Sequence, residues 1–311
     1  MTESLEEQIR RGLSDSPRWL PSELLYDDLG SALFEAITHL PEYELTRADL
    51  RLLEGHALEV VDALGGPVDV AELGPGGGRK AKVFLGRALL RQPRIRFVGV
   101  DVSMAALAEC RRNLAPLEGV EIELVRATYA AGLRQAPRTP GARRLVLFLG
   151  SNLSNFDRAG SRAFLREVRA ALDPGDALLL ATDLDKEPAR LLPAYDDALG
   201  VTAAFDRNLL VRLNREWGAD FDLRAFAHEA RWNASERRIE MHLVARRATA
   251  ARIPRLGLEL GFAAGDTIWT ESSHRFGLEE IRGWAAATGW RCERQWVDGA
   301  WPFAHSLLEA V

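Results

Sequence analysis

The fold is decided by the stretch Val68-Asp69-Val70-Ala71-Glu72-Leu73-Gly74-Pro75-Gly76-Gly77-Gly78-Arg79-Lys80, an apolar run that ends in an acid and a glycine-rich turn. Glycines let a backbone turn sharply and approach a ligand closely. The helix expected at 81–90 offers free N–H groups at its start. This order of strand, loop and helix is typical of the first unit of a doubly wound sheet that binds a nucleotide-like cofactor.

Alternating strands and helices continue after this loop. The first strand is expected at 68–73, and further apolar runs predict strands at 95–101, 122–125, 145–150 and 177–181. Amphipathic segments predict helices such as 104–114 and 158–172. A helix at 278–288 and two final strands, at 291–297 and 303–311, would bring the sheet to seven strands. The pattern predicts a parallel, doubly wound sheet.

The segment from Asp183 to about Thr270 interrupts this alternation. A helix is predicted at 193–213. Polar and apolar residues alternate over 237–244, as they do in a half-exposed strand. We interpret the segment as an insertion that forms part of a second lobe.

The N-terminal segment is predicted to be helical. One helix is expected at 32–37 with Ser31 as its N-cap, and another from a cap at Thr46 to Leu64. We therefore expect two domains. A substrate-binding lobe would contain residues 1–48 and 186–275, and a cofactor-binding domain would contain residues 49–185 and 276–311.

Composition excludes several classes of partner. Hydrophobic residues make up 47% of the 311-residue chain and charged residues 27%, as in an ordinary globular protein. The net charge of −5 argues against nucleic acid and anionic membrane surfaces. No apolar run reaches the ~18 residues of a membrane span, and the polar start does not resemble a signal peptide. We expect a cytoplasmic monomer with a small-molecule substrate.

Cysteine and histidine positions give no sign of a metal site. The two cysteines, Cys110 and Cys292, lack metal-ligand spacing and fit reduced thiols. The six histidines likewise show no paired spacing of the kind that zinc requires. No metal is expected.

The glycine loop and the next strand together indicate the cofactor. A dinucleotide fingerprint would place its third glycine at position 79, where this chain has Arg79, so a nicotinamide cofactor is disfavoured. Asp101 ends the next predicted strand, where a carboxylate can accept hydrogen bonds from both ribose hydroxyls. With Glu72 before the loop, this pattern favours S-adenosylmethionine, which leaves as S-adenosylhomocysteine.

A second polar constellation follows the fourth predicted strand. It is Gly150-Ser151-Asn152-Leu153-Ser154-Asn155-Phe156-Asp157. Ligands of open α/β sheets bind at the carboxyl ends of strands. Asn155 carries a donor and an acceptor on one side chain, and so can bind an amine and a carboxylate. The alternative is a turn and a helix cap at Asp157.

Taken together, these segments resemble the histidine-specific, S-adenosylmethionine-dependent methyltransferase family. Its best-known members make hercynine, the Nα-trimethylated betaine of histidine, on the way to ergothioneine. The resemblance spans nearly the whole chain. The matching runs are 26–34, 40–47, 72–76, 150–156, 194–197, 205–208 and 270–276.

The resemblance implies a Rossmann-like, seven-stranded class I methyltransferase sheet with a mixed α+β substrate lobe. It also implies roles for individual residues. Tyr43 and Asn155 would orient the α-amine and serve as the catalytic pair, and Asn155 and Tyr195 would bind the substrate carboxylate. Met241, Glu271 and Ser273 would contact the imidazole. The cofactor would be held by Tyr26, Gly74, Gly76, Lys80, Asp101, Thr128 and Tyr129.

Three positions depart from the family pattern. Glu44 stands where a second aromatic is usual, and Thr128-Tyr129 replace an Asp-Phe pair near the adenine. Residues 77–79 replace the usual polar loop residues. None of these changes removes a group that methyl transfer needs.

Glu271 is the expected determinant of specificity. A carboxylate there suits an imidazole N–H and Ser273 the other ring nitrogen, whereas an indole would leave one group unmatched. The alternatives are methylation of another aromatic amino acid or amine, such as tryptophan, a non-catalytic binding protein, and a Rossmann oxidoreductase, which Arg79 opposes.

Overall fold

The computed structural model describes residues 3–311. Its α-helices are α1 (Leu5–Ser14), α2 (Asp28–Thr38), α3 (Leu45–Leu64), α4 (Arg79–Ala88), α5 (Met104–Leu114), α6 (Tyr129–Gln135), α7 (Arg158–Arg169), α8 (Pro188–Leu191), α9 (Val201–Trp217) and α10 (Leu278–Ala287). Its strands are β1 (Arg18–Trp19), β2 (Val68–Leu73), β3 (Ile95–Asp101), β4 (Val120–Arg126), β5 (Arg143–Phe148), β6 (Ala177–Asp183), β7 (Phe226–Asn233), β8 (Arg238–Ala245), β9 (Thr249–Ile253), β10 (Leu258–Phe262), β11 (Thr267–His274), β12 (Trp290–Val297) and β13 (Phe303–Ala310).

The chain divides into two compact units. Unit 1 contains the described part of Met1–Glu44 together with Lys186–His274, and unit 2 contains Leu45–Asp185 and Arg275–Val311. The first boundary falls before Leu45 rather than at residue 49, because the whole of α3 belongs to unit 2, where it packs against α4 and β13.

Unit 2 is built on one sheet in the order β12-β13-β6-β5-β2-β3-β4. Strands β2 to β6 are parallel, and β13 runs antiparallel to both of its neighbours. Every residue of β2 and β6 is buried, so helices cover both faces, as apolar parallel strands require. The predicted seven-stranded doubly wound sheet is confirmed.

One face of this sheet forms a large apolar core with α6, α7 and α10. Leu133, Leu165 and Trp284 supply the helical side of that core, and Val146 and Leu178 are among the strand residues that meet them. This packing fixes the carboxyl ends of β2 to β5, where the loops suited to ligand binding begin.

Unit 1 contains a four-stranded sheet in the order β1-β11-β8-β7 and a separate β9–β10 hairpin. Strand β1 pairs in parallel with β11, placing Arg18 opposite Ile268, whereas the other pairs are antiparallel. The strand predicted at 237–244 corresponds to β8. The helix predicted at 193–213 was misplaced: α9 starts at Val201, after Gly200 takes a left-handed conformation at φ 75°.

The predicted N-cap of α2 was also wrong, since Asp27 rather than Ser31 holds that position. Its side chain accepts a hydrogen bond from Gly30 N at 2.7 Å and another from Asn208 Nδ2 at 2.7 Å. A Cβ at Gly30 would lie 1.7 Å from the carbonyl oxygen of Leu25, so only glycine fits. Asp27 therefore links the start of α2 to α9 through its hydrogen bond with Asn208.

The chain leaves unit 2 after Asp185 and returns to it at Arg275, and these two crossing points are adjacent. A buried ion pair marks them, with Arg275 Nε 2.9 Å from Asp183 Oδ2 and both side chains fully buried. Trp301 Nε1 donates to Asp183 Oδ1 at 2.8 Å. Leu184 forms a parallel bridge with Phe276, which keeps the two crossing segments adjacent.

No helix within residues 3–311 has both the length and the apolar character that a membrane crossing requires.

Replacing Arg275 with Met is expected to destabilise the protein by about 3–5 kcal/mol, because it leaves the Asp183 carboxylate buried without its cation. Urea unfolding followed by tryptophan fluorescence measures the loss. The matched control is Arg282→Met, which removes an exposed ion pair with Glu279 and should cost less than about 1 kcal/mol. Equal losses in the two variants would contradict the role given to the buried pair.

Candidate functional site

The glycine-rich loop after β2 has the backbone that its sequence predicts. Gly74, Gly76 and Gly78 have φ angles of 71°, 52° and 74°, in the left-handed region that glycine adopts without strain. A Cβ at Gly74 would lie 3.3 Å from both Asn152 Nδ2 and Tyr129 Oη. The backbone at Gly74 thus makes room for close approach of other groups.

Asp101, at the end of β3, borders this loop. Its carboxylate accepts hydrogen bonds from Gly76 N at 3.4 Å and from Ser103 N at 2.9 Å. Thr128 occupies the N-cap position of α6, just after β4, and its exposed side chain makes no capping hydrogen bond. Glycine loop, carboxylate and hydroxyl thus meet at the carboxyl ends of neighbouring strands.

Tyr129 is the first residue of α6 and stands beside the loop. Its ring packs edge-on against Phe148 at 5.3 Å and Phe164 at 6.1 Å between centroids. Burial, with a smaller contribution from the charge of Asp101, raises the pKa of its hydroxyl to about 12. Tyr129 therefore stays neutral and presents a hydroxyl to the loop.

Glu72 lies beneath the loop and is 1% exposed. Burial raises the pKa of its carboxyl to about 8, with Lys80 opposing the shift and the charges of Asp49 and Asp101 adding to it. Among the described residues, no group hydrogen-bonds Glu72 Oε2. The side chain therefore carries a proton at neutral pH.

Lys80 belongs to a buried charge cluster that the sequence analysis did not find. Its Nζ lies 3.2 Å from Asp49 Oδ2, while Asp49 Oδ1 is 2.6 Å from His305 Nε2. Gly150 N donates to Asp49 at 2.7 Å. Burial opposes ionisation, but Lys80 and His305 outweigh it and lower the pKa of Asp49. The lysine predicted to bind the cofactor is thus held by a fully buried carboxylate.

A signal for Asp49 was present in the sequence. It stands four residues after Leu45 and three before Leu52, so helical spacing puts it on the apolar face of α3. A charge on a buried helical face requires a partner. His305, in contrast, gave no comparable signal, since alternation in β13 is hidden by its burial on both faces.

Asn155 ends the turn that follows β5. That turn is the 3₁₀ segment Asn152–Asn155, entered through Ser151 in a left-handed conformation at φ 60°. Asn155 is exposed. The residue therefore lies at the carboxyl edge of the sheet, where its amide is accessible to a ligand.

Five aromatic rings of unit 1 form a continuous cluster. Neighbouring ring centroids are 5.6 to 6.4 Å apart, mostly with edge-on geometry. The rings belong to Tyr26, Phe34, Tyr43, Tyr195 and Phe205. The cluster brings together Tyr43 and Tyr195, two predicted substrate contacts, and surrounds them with apolar surface.

The remaining predicted substrate contacts lie on β11 and β8. Glu271 and Ser273 are two residues apart on β11 and so point to the same face, and Met241 of β8 is paired with Glu271. Ser273 Oγ lies 2.8 Å from Tyr195 Oη. All three residues are at most 9% exposed.

Tyr26, predicted to contact the cofactor, makes a contact in unit 1 that was not anticipated. Its hydroxyl donates a hydrogen bond to Glu271 Oε1 at 3.3 Å. Tyr26 therefore also contacts Glu271, the residue that was predicted to determine specificity.

Glu271 differs from the sequence expectation in its charge. Burial, reinforced by the negative charge of Asp206, raises its pKa to about 8, and the Tyr26 hydrogen bond offsets this only in part. A carboxylate is predicted at this position from the sequence. With a pKa of about 8, Glu271 is instead a carboxylic acid at neutral pH, because burial and the charge of Asp206 outweigh the Tyr26 hydrogen bond.

Across the described part of the chain, no cluster of His, Cys, Asp and Glu side chains has an arrangement that could hold a metal ion.

Comparisons with known proteins show which family this chain resembles along almost its whole length. The family model described as "Histidine-specific methyltransferase, SAM-dependent" matches residues 5–310. The histidine N-alpha-methyltransferase of Mycolicibacterium smegmatis is 42% identical over 306 residues, which cover 98% of this chain and 94% of that protein. Ergothioneine biosynthesis protein 1 of Neurospora crassa is 33% identical over 202 residues, covering 64% and 23%.

A solved structure supports the fold alone. An S-adenosylmethionine-dependent methyltransferase from Clostridium acetobutylicum superposes with a TM-score of 0.50 at 12% identity. The match covers 89% of this chain and 97% of that protein.

In the ligand-free protein, Glu271→Gln is expected to stabilise more at pH 8.5 than at pH 5. The folded-state pKa, about 8, lies above the ordinary value of 4.5. The stability associated with the proton is therefore full below about pH 4.5 and is lost as the pH rises towards about 8. Glutamine removes this loss, so the difference in thermal midpoint between variant and wild type should widen with pH.

Thermal unfolding of both proteins from about pH 5 to about pH 8.5 tests this linkage. Glu279→Gln, whose side chain is 82% exposed, is the control and should show a flat difference. A flat difference for Glu271→Gln as well would contradict the raised pKa.

Proposed function

The chain belongs to the histidine-specific, S-adenosylmethionine-dependent methyltransferase family, whose reaction is methylation of the α-amino nitrogen of histidine, and from this membership we propose how its residues act. The family resemblance of the sequence is confirmed, with the N-methyltransferase activity that it implied. The roles below, and transfer of methyl groups up to the trimethylated betaine hercynine, are our proposals.

The observation that carries the proposal is a pair of buried polar groups whose placement suits an imidazole ring. Glu271 and Ser273 present two buried polar groups on one face of β11, with the Met241 side chain on the strand opposite. A ring with one apolar face and two nitrogens at its edge matches this arrangement. An indole has one N–H and could hydrogen-bond only one of the two groups, so it matches this arrangement less well than an imidazole.

The protonated state of Glu271 extends this argument. A neutral imidazole has one donor and one acceptor nitrogen. A carboxylic acid can donate to the acceptor nitrogen, and transfer of its proton to the ring would yield a carboxylate–imidazolium pair. The raised pKa of Glu271 thus means that its side chain is uncharged at neutral pH, which avoids the cost of a buried charge without a cation.

Three polar side chains would bind the main-chain groups of histidine. We assign the carboxylate to the hydroxyl of Tyr195 and the α-amine to that of Tyr43. Asn155 of unit 2 can bind both groups through its side-chain amide. Tyr43 is 8% exposed and Tyr195 7% exposed, so their hydrogen bonds compete little with water.

The polar groups of the proposed cofactor site suit the chemical groups of S-adenosylmethionine. Asp101 would accept hydrogen bonds from the ribose hydroxyls, the loop at Gly74 and Gly76 would permit close backbone approach, and Lys80 would meet the cofactor carboxylate. Thr128 and Tyr129 would flank the adenine. We propose Tyr26 as a further contact of the cofactor. When bound, S-adenosylmethionine supplies an electrophilic methyl carbon on a sulfonium centre.

Positioning accounts for most of what the chain must do. The α-amine of a free amino acid is mostly protonated at neutral pH. The hydroxyl of Tyr43 and the amide oxygen of Asn155 would accept from the amine and direct its lone pair. Alignment of this kind can supply several kcal/mol of the barrier, on the order of 7–11 kcal/mol in favourable cases.

Repeated methylation turns the amine into a permanent cation. The faces of Tyr43 and Phe205 in the aromatic cluster would stabilise that cation by about 0.5–2 kcal/mol. This supports the trimethylated product as the endpoint.

Incubation of the protein with S-adenosylmethionine and each of the twenty amino acids should add methyl groups to histidine alone. Mass spectrometry would show gains of one to three methyl masses, with the trimethylated form accumulating. Activity on tryptophan or tyrosine without activity on histidine would contradict the assignment. Binding of histidine without turnover would instead indicate a binding protein.

Glu271→Ala should lower kcat/KM for histidine by about 10–100-fold, because it removes a buried hydrogen-bonding group from the ring. The Kd for S-adenosylmethionine, measured by calorimetry, should stay within about twofold. Glu229→Ala, which removes a half-exposed carboxylate of β7, is the control. Comparable losses of histidine and cofactor binding would refute the specificity role.

A further inference from the structure

A buried histidine–aspartate pair in unit 1 has no place in the function proposed above. His228 Nδ1 of β7 lies 2.7 Å from Asp206 Oδ2 of α9. The side chains are 1% and 0% exposed. Asp206 falls in a run that marks the family resemblance, and its only part so far is to raise the pKa of Glu271. Burial of two ionisable groups costs free energy, so the presence of this pair requires a physical explanation.

The second ring nitrogen of His228 provides that reason. His228 Nε2 is 2.7 Å from the main-chain carbonyl oxygen of Tyr195. Both partners of the ring are acceptors, so the ring must donate from both nitrogens, which only the imidazolium form can do. Burial opposes this charge, but the hydrogen bond and charge of Asp206 outweigh it and raise the pKa of His228.

Tyr195 needs such a support because no helix or strand contains it. It follows the short 3₁₀ turn Leu192–Ala194, and its N–H donates to Leu192 O at 2.9 Å. Its backbone is then held by His228, and its hydroxyl lies 2.8 Å from Ser273 Oγ. The tyrosine is thereby fixed at both ends, with the backbone end depending on a charge-assisted hydrogen bond.

We propose that Asp206 and His228 are positioning residues that fix Tyr195 to receive the carboxylate of the amino-acid substrate. Asp206 orients the imidazolium through Nδ1, and the imidazolium holds the carbonyl group of Tyr195 through Nε2. The proposal rests on the proposed function, because it takes histidine as the ligand and its carboxylate as the group that Tyr195 binds.

The test compares two ligands that differ in one group. Histidine carries the carboxylate, whereas histamine has the same imidazole and amine without it. The Kd of each is measured by calorimetry with protein saturated in S-adenosylhomocysteine, which allows no turnover. In His228→Phe, the Kd for histidine should rise about tenfold, while the Kd for histamine should change by less than about twofold.

Rescue separates the hydrogen bond from the shape of the ring. His228→Gln keeps an N–H donor that can reach the Tyr195 carbonyl and should recover most of the affinity for histidine. Asp206→Asn keeps the size of the side chain but removes the charge that holds the imidazolium, and should weaken histidine binding in the same direction as His228→Phe. Because Asp206 also raises the pKa of Glu271, the comparison of histidine with histamine is made with the His228 variants. If the phenylalanine variant fails to fold, the glutamine and asparagine variants still decide the matter.

The control is His39→Phe, an exposed histidine of unit 1 whose replacement should alter neither Kd. Parallel losses for histidine and histamine would show that the pair only supports the fold and would overturn the proposal. So would equal losses in the glutamine and phenylalanine variants, or unchanged binding in all of them. Failure of the wild-type protein to bind histidine would instead refute the proposed function.

Discussion

The buried ion pair between Asp183 and Arg275 is the constraint on which the two-unit architecture depends. Neither charge tolerates burial alone, so the end of β6 and the residue that follows β11 must meet. The bridge between Leu184 and Phe276 extends that meeting into the backbone. Unit 2 can therefore form an uninterrupted sheet although its sequence is split, and the segment between the two crossing points can form unit 1.

Buried carboxyl groups show how the surroundings decide a protonation state. Asp49 has Lys80 and His305 as partners and stays ionised at lower pH than usual, whereas Glu72 and Glu271 lack a sufficient cation and keep a proton to about pH 8. Asp206 is one cause of the shift at Glu271, and it also holds His228. One carboxylate thus acts on both the ring-binding and the carboxylate-binding residues of the proposed substrate pocket.

Sequence reasoning predicted unit 2 well and unit 1 poorly, for physical reasons. Strands buried on both faces and separated by glycine turns leave a strong local pattern, so β2 and β3 were placed at their true limits. In unit 1 the pattern is weaker: charged residues are spread along β7, and β9 and β10 are short. Their pairing depends on partners distant in sequence.

The candidate site was predicted in its parts but not in its electrostatics. The glycine loop and Asp101 were recognisable from local order, and the substrate residues only from the family resemblance. Contacts such as that of Tyr26 with Glu271 are set by tertiary packing, and the charge of Glu271 is set by burial. Neither this contact nor this charge can be inferred from the residue type and its position in a strand.

The pairing of β1 with β11 also constrains biosynthesis. Arg18 and Trp19 find their strand partners only at Ile268 and Trp269. A ribosome adds about 5–20 residues per second, so these residues wait some tens of seconds for the partner to be made. Helix α9, which packs against α2, is made earlier than β11, so α2 gains its partner before β1 does. Completion of the four-stranded sheet of unit 1 is therefore a late event in synthesis.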